Sequence, residues 1–446
     1  MKKLLLLIAG LAIISCATEP KIDYTIIAGK VENKKTDKIE VSGGNFSKEI
    51  QLAEDGTFRD TLDIETGYYY IFHDRYRTSV FITPGDSIGV VTDAKSFNKG
   101  VQYSGDGAAE NTYLSEKLTE SRAINFQELY GSEEADFFTK IQDLKTKAIE
   151  KVSNIENVNE TFLAQEKRGI GYDYLAYVNR YTRYYPYFSK NKDYTPSEKI
   201  KELLANVDYD NANDYKSFQS YRQIAQDHYL NRIYTDSLKE QTLETVKTLQ
   251  SQELKDDIAD DLAFGISPSG GENEKLFKLV TELATDKELI EKFTTKYEKI
   301  QNLVKGKASP KFDYENHAGG NTTLADLQGK YVYIDVWATW CGPCLGEIPS
   351  LKKVEKQYHD KDIHFVSISI DEKDDYNTWK DMVKNKELGG IQLMADNAWK
   401  SEFVTEYAIE GIPRFILIDP SGKIVSADAP RPSNPKLIEL FNELKI

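Results

Sequence analysis

Residues that bind metals or cross-link a fold are scarce in this chain. Its 446 residues include only three cysteines and five histidines. A zinc site needs about four ligands, usually two cysteine pairs or one pair with suitably spaced histidines. Apart from Cys341 and Cys344 the chain has only Cys16, and its histidines show no such spacing. We therefore expect no metal site, no cofactor, and no structural disulfide away from this pair.

Positive charge is also in short supply. The chain has 57 lysines and arginines against 72 aspartates and glutamates, which gives a net charge of −15 at pH 7. This acidic excess argues against nucleic acid as a partner. The length exceeds what one hydrophobic core usually supports, so we expect two or three domains. Nothing in the sequence indicates an oligomeric state.

Long apolar runs are absent except at the N-terminus. Lys2 and Lys3 precede an apolar run over residues 4–14, which ends two residues before Cys16. The run is too short for a transmembrane helix and has the form of a signal peptide. Its end resembles a lipobox, so we expect residues 1–16 to be a lipoprotein signal peptide with Cys16 as the lipidation site. The alternative is a plain secretory signal with an incidental cysteine.

One stretch of the chain carries recognisable chemistry. A β-rich apolar run leads into Trp340-Cys341-Gly342-Pro343-Cys344, and an amphipathic helical pattern follows at once. This pattern predicts a strand, a tight turn and a helix whose first turn carries Cys341. Unpaired N–H groups and the helix dipole favour a thiolate there, so we expect the pKa of Cys341 to be lowered. Cys344 lies within one helical turn and can close a disulfide, whose reduction potential depends on Gly342 and Pro343. We interpret this stretch as a thiol–disulfide exchange site; two inert buried cysteines are the alternative.

Four motifs occupy the C-terminal third of the chain. They are Ala-Ser-Pro-Lys-Phe at residues 308–312, Leu-Ala-Asp-Leu-Gln-Gly-Lys at 324–330, Trp-Ala-Thr-Trp-Cys-Gly-Pro-Cys at 337–344 and Gly-Ile-Pro at 411–413. Together they resemble the TlpA/ResA-like family of extracytoplasmic thiol–disulfide oxidoreductases. The resemblance implies a thioredoxin-like α/β fold for residues 306–446. The alternation of predicted strands and helices in this region agrees with that fold.

The resemblance also implies roles for individual residues. Cys341 would be the exposed nucleophile, and Cys344 the more buried cysteine that resolves the mixed disulfide. Asp335 matches the buried acid of thioredoxins, and strand alternation places it beneath the cysteines, where burial would raise its pKa. Glu347 matches the glutamate of the ResA-like Cys-x-x-Cys-x-x-Glu pattern; an exposed glutamate in the first helical turns is the alternative.

Further residues are expected to meet the substrate. Pro413 would be a cis-proline facing the disulfide, and the backbone beside it, at Ile412, can pair with an extended substrate. Trp337 and Trp340 are expected to pack around the disulfide. Substrate contact is expected for Trp340, Gly342, Pro343 and Ile412.

The rest of the chain resembles no catalytic module. Residues 22–105 show short β-rich runs between turns and predict a small β-sandwich domain. Residues 108–304 show helical periodicity and predict an α-helical domain, with a helix break near Tyr185-Pro186. In it, Tyr174, Tyr177, Tyr181 and Tyr184 lie on one helical face. We interpret this face as packing surface, and an aromatic surface for a partner is the alternative.

Taken together, these features predict a reductase of protein disulfides. The Gly-Pro dipeptide between the cysteines favours a reducing potential. A membrane reductant of the periplasmic thiol pathway would restore the dithiol, and the lipid anchor would hold the protein in the cell envelope, facing the periplasm. Alanine after Cys16 favours the outer membrane by family analogy. The alternatives are a disulfide oxidase or isomerase, and an adaptor lipoprotein whose N-terminal domains bind a partner.

Overall fold

The computed structural model describes residues 23–44, 46–96, 100–235 and 239–446. The expected lipidation site at Cys16 and the signal peptide lie outside these ranges. The chain divides into two compact units, the first ending at Leu254 and the second running from Lys255 to Ile446. Within the described ranges, no helix combines the length and the apolar character needed to cross a membrane.

The first unit begins with eight strands in two four-stranded sheets, ordered β4-β1-β7-β8 and β3-β2-β5-β6. The strands are β1 (Thr25–Glu32), β2 (Lys38–Gly43), β3 (Phe46–Gln51), β4 (Thr57–Leu62), β5 (Gly67–His73), β6 (Tyr76–Ile82), β7 (Ser87–Asp93) and β8 (Gln102–Gly105). Apolar residues of both sheets, among them Ile27 and Val41, belong to one buried cluster. The N-terminal sheet domain is thus present, and its β-sandwich geometry stays a prediction.

Helices follow the sheets, as the periodicity predicts. They are α1 (Ala108–Ala123), α2 (Phe126–Gly131), α3 (Glu134–Ser153), α4 (Glu160–Ser189), α5 (Glu198–Ala205), α6 (Ala212–Ser217), α7 (Gln219–Ile233), α8 (Lys239–Lys247), α9 (Gln252–Ala263), α10 (Asn273–Leu283) and α11 (Lys287–Asn302). The helix break expected near Tyr185-Pro186 falls slightly later, because α4 continues through Pro186 and ends at Ser189. Proline disfavours a helix interior, but here it lies in the last turn, where the ring of Tyr185 stacks on Tyr181 at 4.9 Å.

The tyrosine face of α4 packs inside the first unit. Tyr181 is fully buried in an aromatic cluster with residues of α2 and α3. Tyr174, Tyr177 and Tyr184 are partly buried against the same cluster. The interpretation of this face as packing surface is confirmed.

The second unit is built on a seven-stranded sheet ordered β10-β9-β13-β12-β11-β14-β15. Its elements after α11 are β9 (Asp313–Asn316), β10 (Asn321–Thr323), β11 (Tyr331–Trp337), α12 (Gly342–Gln357), β12 (Ile363–Ser369), α13 (Tyr376–Asn385), β13 (Ile391–Met394), α14 (Glu402–Glu406), β14 (Arg414–Ile418), β15 (Ile424–Ser426) and α15 (Lys436–Glu443). The central strand β11 pairs parallel with β12 and antiparallel with β14. Its residues are buried after the first one, as expected for a strand covered on both faces. The predicted alternation of strands and helices is confirmed.

The helical segment is divided between the two units. Helices α10 and α11 belong to the second unit, together with most of α9. Within that unit, the buried ammonium of Lys296 on α11 donates to the carbonyl of Ala263 at 2.8 Å and to the carboxylate of Glu410 at 2.5 Å. These contacts tie α11 to the end of α9 and to the loop that precedes Pro413. The expected division of residues 22–105, 108–304 and 306–446 into three domains stays a prediction.

Candidate active site

The two cysteines lie where strand β11 gives way to helix α12. Cys341 is the N-terminal cap of α12, and its sulfur accepts a hydrogen bond from the backbone N–H of Cys344 at 3.2 Å. The two residues form a disulfide, with their Cα atoms 5.3 Å apart. The first N–H groups of a helix have no partner within the helix. In the dithiol state, the Cys344 N–H can therefore donate to a Cys341 thiolate and stabilise it.

The two cysteines are equally enclosed in this oxidised state. Each is 4% exposed, and both belong to the apolar cluster that contains Trp337. The expectation that Cys344 is the more buried cysteine is therefore wrong for the disulfide form. The reason is that the bond between the sulfurs holds both side chains in the same cluster.

Asp371 holds the loop that precedes Cys341 in place through hydrogen bonds. Its buried carboxylate accepts hydrogen bonds from the backbone N–H of Thr339 at 3.0 and 3.1 Å and from the Thr339 hydroxyl at 2.7 Å. It also accepts from the hydroxyl of Ser369 at 2.6 Å. Charge-assisted bonds of this kind are stronger than neutral ones. Sequence reasoning missed Asp371, although it lies two residues after the buried strand β12, which pairs with β11.

Asp335 lies beneath the disulfide, as strand alternation predicts. The residue is 8% exposed, and its Oδ1 atom has no hydrogen-bond partner among the described residues. Burial raises the pKa of its carboxyl to about 8, with smaller contributions from the negative charges of Glu347 and Glu355. A carboxyl with this pKa is largely protonated at neutral pH and can exchange a proton with a thiol.

Glu347 faces the C-terminal loop of the second unit. Its carboxylate accepts hydrogen bonds from the backbone N–H of Ser433 at 3.0 Å and from the Ser433 hydroxyl at 2.8 Å. Glu347 is half-buried. The negative charge of Glu347 contributes to the raised pKa of Asp335. A catalytic role for Glu347 stays a prediction.

An exposed rim borders the buried disulfide. Gly342 and Pro343 are exposed, and Trp340 is 54% exposed, with its ring 6.4 Å from that of Trp399. The Ile412–Pro413 peptide bond is cis, which confirms the expected conformation of Pro413. Substrate contact by Trp340, Gly342, Pro343 and Ile412 stays a prediction.

Glu355 is a second acid that sequence reasoning missed. It lies on α12 eleven residues after Cys344, about three helical turns along the same face. Burial raises the pKa of its carboxyl to about 7, against a lowering by the charge of Lys352. That helical spacing is the signal that could have found it. In the described part of the chain, no group of three or more histidines, cysteines or acids could hold a metal ion.

Comparison with known proteins places similar sequences in this region. A family model described as Redoxin matches residues 304–439, which include both cysteines. The thiol-disulfide oxidoreductase ResA of Bacillus anthracis is 30% identical over 157 residues, or 34% of this chain and 86% of ResA. ResA of Bacillus thuringiensis subsp. konkukian is 29% identical over the same shares. The solved structure of a thiol-disulfide oxidoreductase from Bacteroides fragilis is 30% identical, with 30% of this chain and 99% of that chain covered and a TM-score of 0.27.

Proposed function

Because the chain belongs to the TlpA/ResA-like family of thiol–disulfide oxidoreductases, we propose that it reduces protein disulfides outside the cytoplasm. The observation that carries this proposal is the Cys341–Cys344 disulfide at the N-terminus of α12. The cysteine sulfurs supply the redox chemistry. The exposed rim of Trp340 and Pro343 gives a folded substrate access to the edge of the pair.

The reaction begins on the dithiol form. The thiolate of Cys341 attacks one sulfur of a substrate disulfide, and the other substrate sulfur leaves as a thiolate that takes a proton from water. Cys344 then transfers its proton to Asp335 in its ionised form, the minor form at neutral pH, and attacks the Cys341 sulfur. The enzyme disulfide closes, and the second substrate sulfur leaves. Two electrons pass from the enzyme dithiol to the substrate, and a membrane reductant restores the dithiol.

The direction of transfer depends on the reduction potential. Thioredoxin, with a Gly-Pro dipeptide between its cysteines, has a potential of about −270 mV, whereas the oxidant DsbA lies at about −120 mV. We expect the Cys341–Cys344 pair to lie below about −200 mV. Equilibration of the full chain with dithiothreitol redox buffers, followed by alkylation of free thiols, measures this value. A potential above about −150 mV would overturn the proposed direction and indicate an oxidase.

The proposed location rests on the N-terminal sequence. Lys2, Lys3 and the apolar run before Cys16 support export and lipidation, and alanine at position 17 favours the outer membrane. Several acyl chains on one residue give stable membrane attachment, whereas a single chain does not. The variant Cys16→Ala should therefore move the protein from the membrane fraction to the soluble fraction. Retention of the variant in the membrane would contradict the lipid anchor.

A further inference from the structure

A small cavity lies beside Cys344. Polar side chains from four elements line it: Asp335, Cys344, Lys352, Glu355, Ser367 and Gln392. The space open to the centre of a water molecule is about 10 Å³. This is about the room that one water needs. The cavity connects the resolving cysteine with two carboxyl groups.

Two buried acceptors in this cavity lack a donor. Asp335 Oδ1 and Gln392 Oε1 have no hydrogen-bond partner among the described residues. The Gln392 side chain is held by its Nε2 atom, which donates to the carbonyl of Gly389 at 2.7 Å. Buried polar atoms in native structures are generally hydrogen-bonded. A protonated Asp335 carboxyl or one water in the cavity provides the missing donor.

Glu355 connects this cavity with the surface. It lines the cavity but is only half-buried. Two glycines make room for its carboxylate: a Cβ atom on Gly389 would lie 2.6 Å from Oε2, and one on Gly390 would lie 3.1 Å from Oε1. Side chains at these positions would crowd the carboxylate. Gly390 is also required by its positive φ of 62° and by the backbone carbonyl of Phe365, which would lie 2.6 Å from an added Cβ atom.

We infer that Glu355 passes protons between Asp335 and solvent whenever the Cys341–Cys344 disulfide opens or closes. On opening, a reductant thiolate attacks the Cys341 sulfur, and Cys344 leaves with the electron pair of the S–S bond. Cys344 takes a proton from Asp335, and Asp335 regains one from Glu355, which is reprotonated by solvent. The second thiolate of the reductant then displaces Cys341, so that two electrons have moved to the enzyme. This inference rests on the proposed function.

The charges around the cavity suit such a relay. Asp335 comes from β11, Glu347 and Lys352 share α12 with Glu355, and β12 and β13 contribute only the uncharged Ser367 and Gln392. The ammonium of Lys352 donates to the carbonyl of Lys386. Burial raises the pKa of Asp335 to about 8 and that of Glu355 to about 7, so both carboxyls exchange protons near neutral pH.

The variant Glu355→Gln tests the relay in the full chain. All four tryptophans lie between residues 337 and 399, so stopped-flow fluorescence follows the opening of the disulfide by dithiothreitol. In weak buffer at pH 7 we expect the disulfide of Glu355→Gln to open about tenfold more slowly than that of the wild type. This effect is smaller than the loss of an acid–base catalyst usually causes. Added imidazole, a small proton carrier, should restore the rate, and Glu355→Asp should retain most of it. Glu387→Gln removes an exposed carboxylate beside the Leu388–Gly389 wall and should behave like the wild type.

The outcomes separate the inference from the proposed function. If the wild type itself does not react with dithiothreitol, the proposed function fails. If the wild type and Glu355→Gln open equally fast, or if the slower variant does not respond to imidazole, the inference fails. Infrared spectroscopy gives a second readout, because removal of the Glu355 charge should lower the pKa of Asp335. An unchanged carboxyl band would also overturn the inference.

Discussion

Replacement of Asp335 by asparagine should stabilise the second unit at neutral pH. Burial raises the pKa of this carboxyl from 3.8 to about 8. The folded protein therefore binds the proton more tightly than the unfolded chain does. The free energy of unfolding is highest below pH 3.8, the pKa of Asp335 in the unfolded chain. Above that pH it falls by about 1.4 kcal/mol per pH unit until the pH passes the pKa of the folded protein. At pH 7 the loss is about 4 kcal/mol, and Asp335→Asn removes it.

The assay uses the position of the tryptophans. Since all four lie in the second unit, guanidinium unfolding of the oxidised full chain, followed by tryptophan fluorescence, reports on that unit. Measured at pH 5, 6, 7 and 8, the stability advantage of Asp335→Asn should grow by about 1.4 kcal/mol per unit between pH 5 and 7. It should level off above pH 8. Asp362→Asn, at a side chain that is 86% exposed, is the control and should leave the wild-type pH dependence unchanged. Parallel curves for Asp335→Asn and the wild type would refute the reasoning.

Two other buried charges yield predictions. Asp371→Asn weakens the charge-assisted bonds to Thr339 and should lower the unfolding free energy by about 2 kcal/mol in the same fluorescence assay, with slower reduction of insulin. An unchanged unfolding free energy and an unchanged rate of insulin reduction would show that the loop before Cys341 keeps its conformation without the Asp371 charge. In the first unit, Lys117 bonds to the buried Glu166 at 2.6 Å and to Asp173 at 2.8 Å. Lys117→Met should destabilise that unit by about 3 kcal/mol in far-UV circular dichroism melts, and Glu166→Gln added to it should recover part of the loss. Equal melting of the wild type and Lys117→Met would contradict this.

Local spacing explains what the sequence alone could predict of the site. Cys341 and Cys344 lie within one helical turn, so their bridge follows from the helix that begins between them. Asp335 lies on β11, the strand that leads into the turn before Cys341. The period-two alternation of side chains along a strand fixes the face on which Asp335 lies. In both cases the residues are close in sequence and in space.

Residues brought together by tertiary contacts escaped prediction. Asp371 reaches Thr339 across two neighbouring strands, 32 residues apart in the chain. Glu355 and Gln392 meet at the cavity from separate elements.

In the proposed mechanism Cys341 attacks the substrate disulfide and Cys344 resolves the mixed disulfide. The most direct measurement mixes reduced Cys344→Ala and reduced Cys341→Ser with a disulfide-containing protein and maps the mixed disulfides by mass spectrometry. We expect a stable adduct on Cys341 in Cys344→Ala and almost none on Cys344 in Cys341→Ser. An adduct that forms equally well on Cys344, or none on either cysteine, would contradict this mechanism.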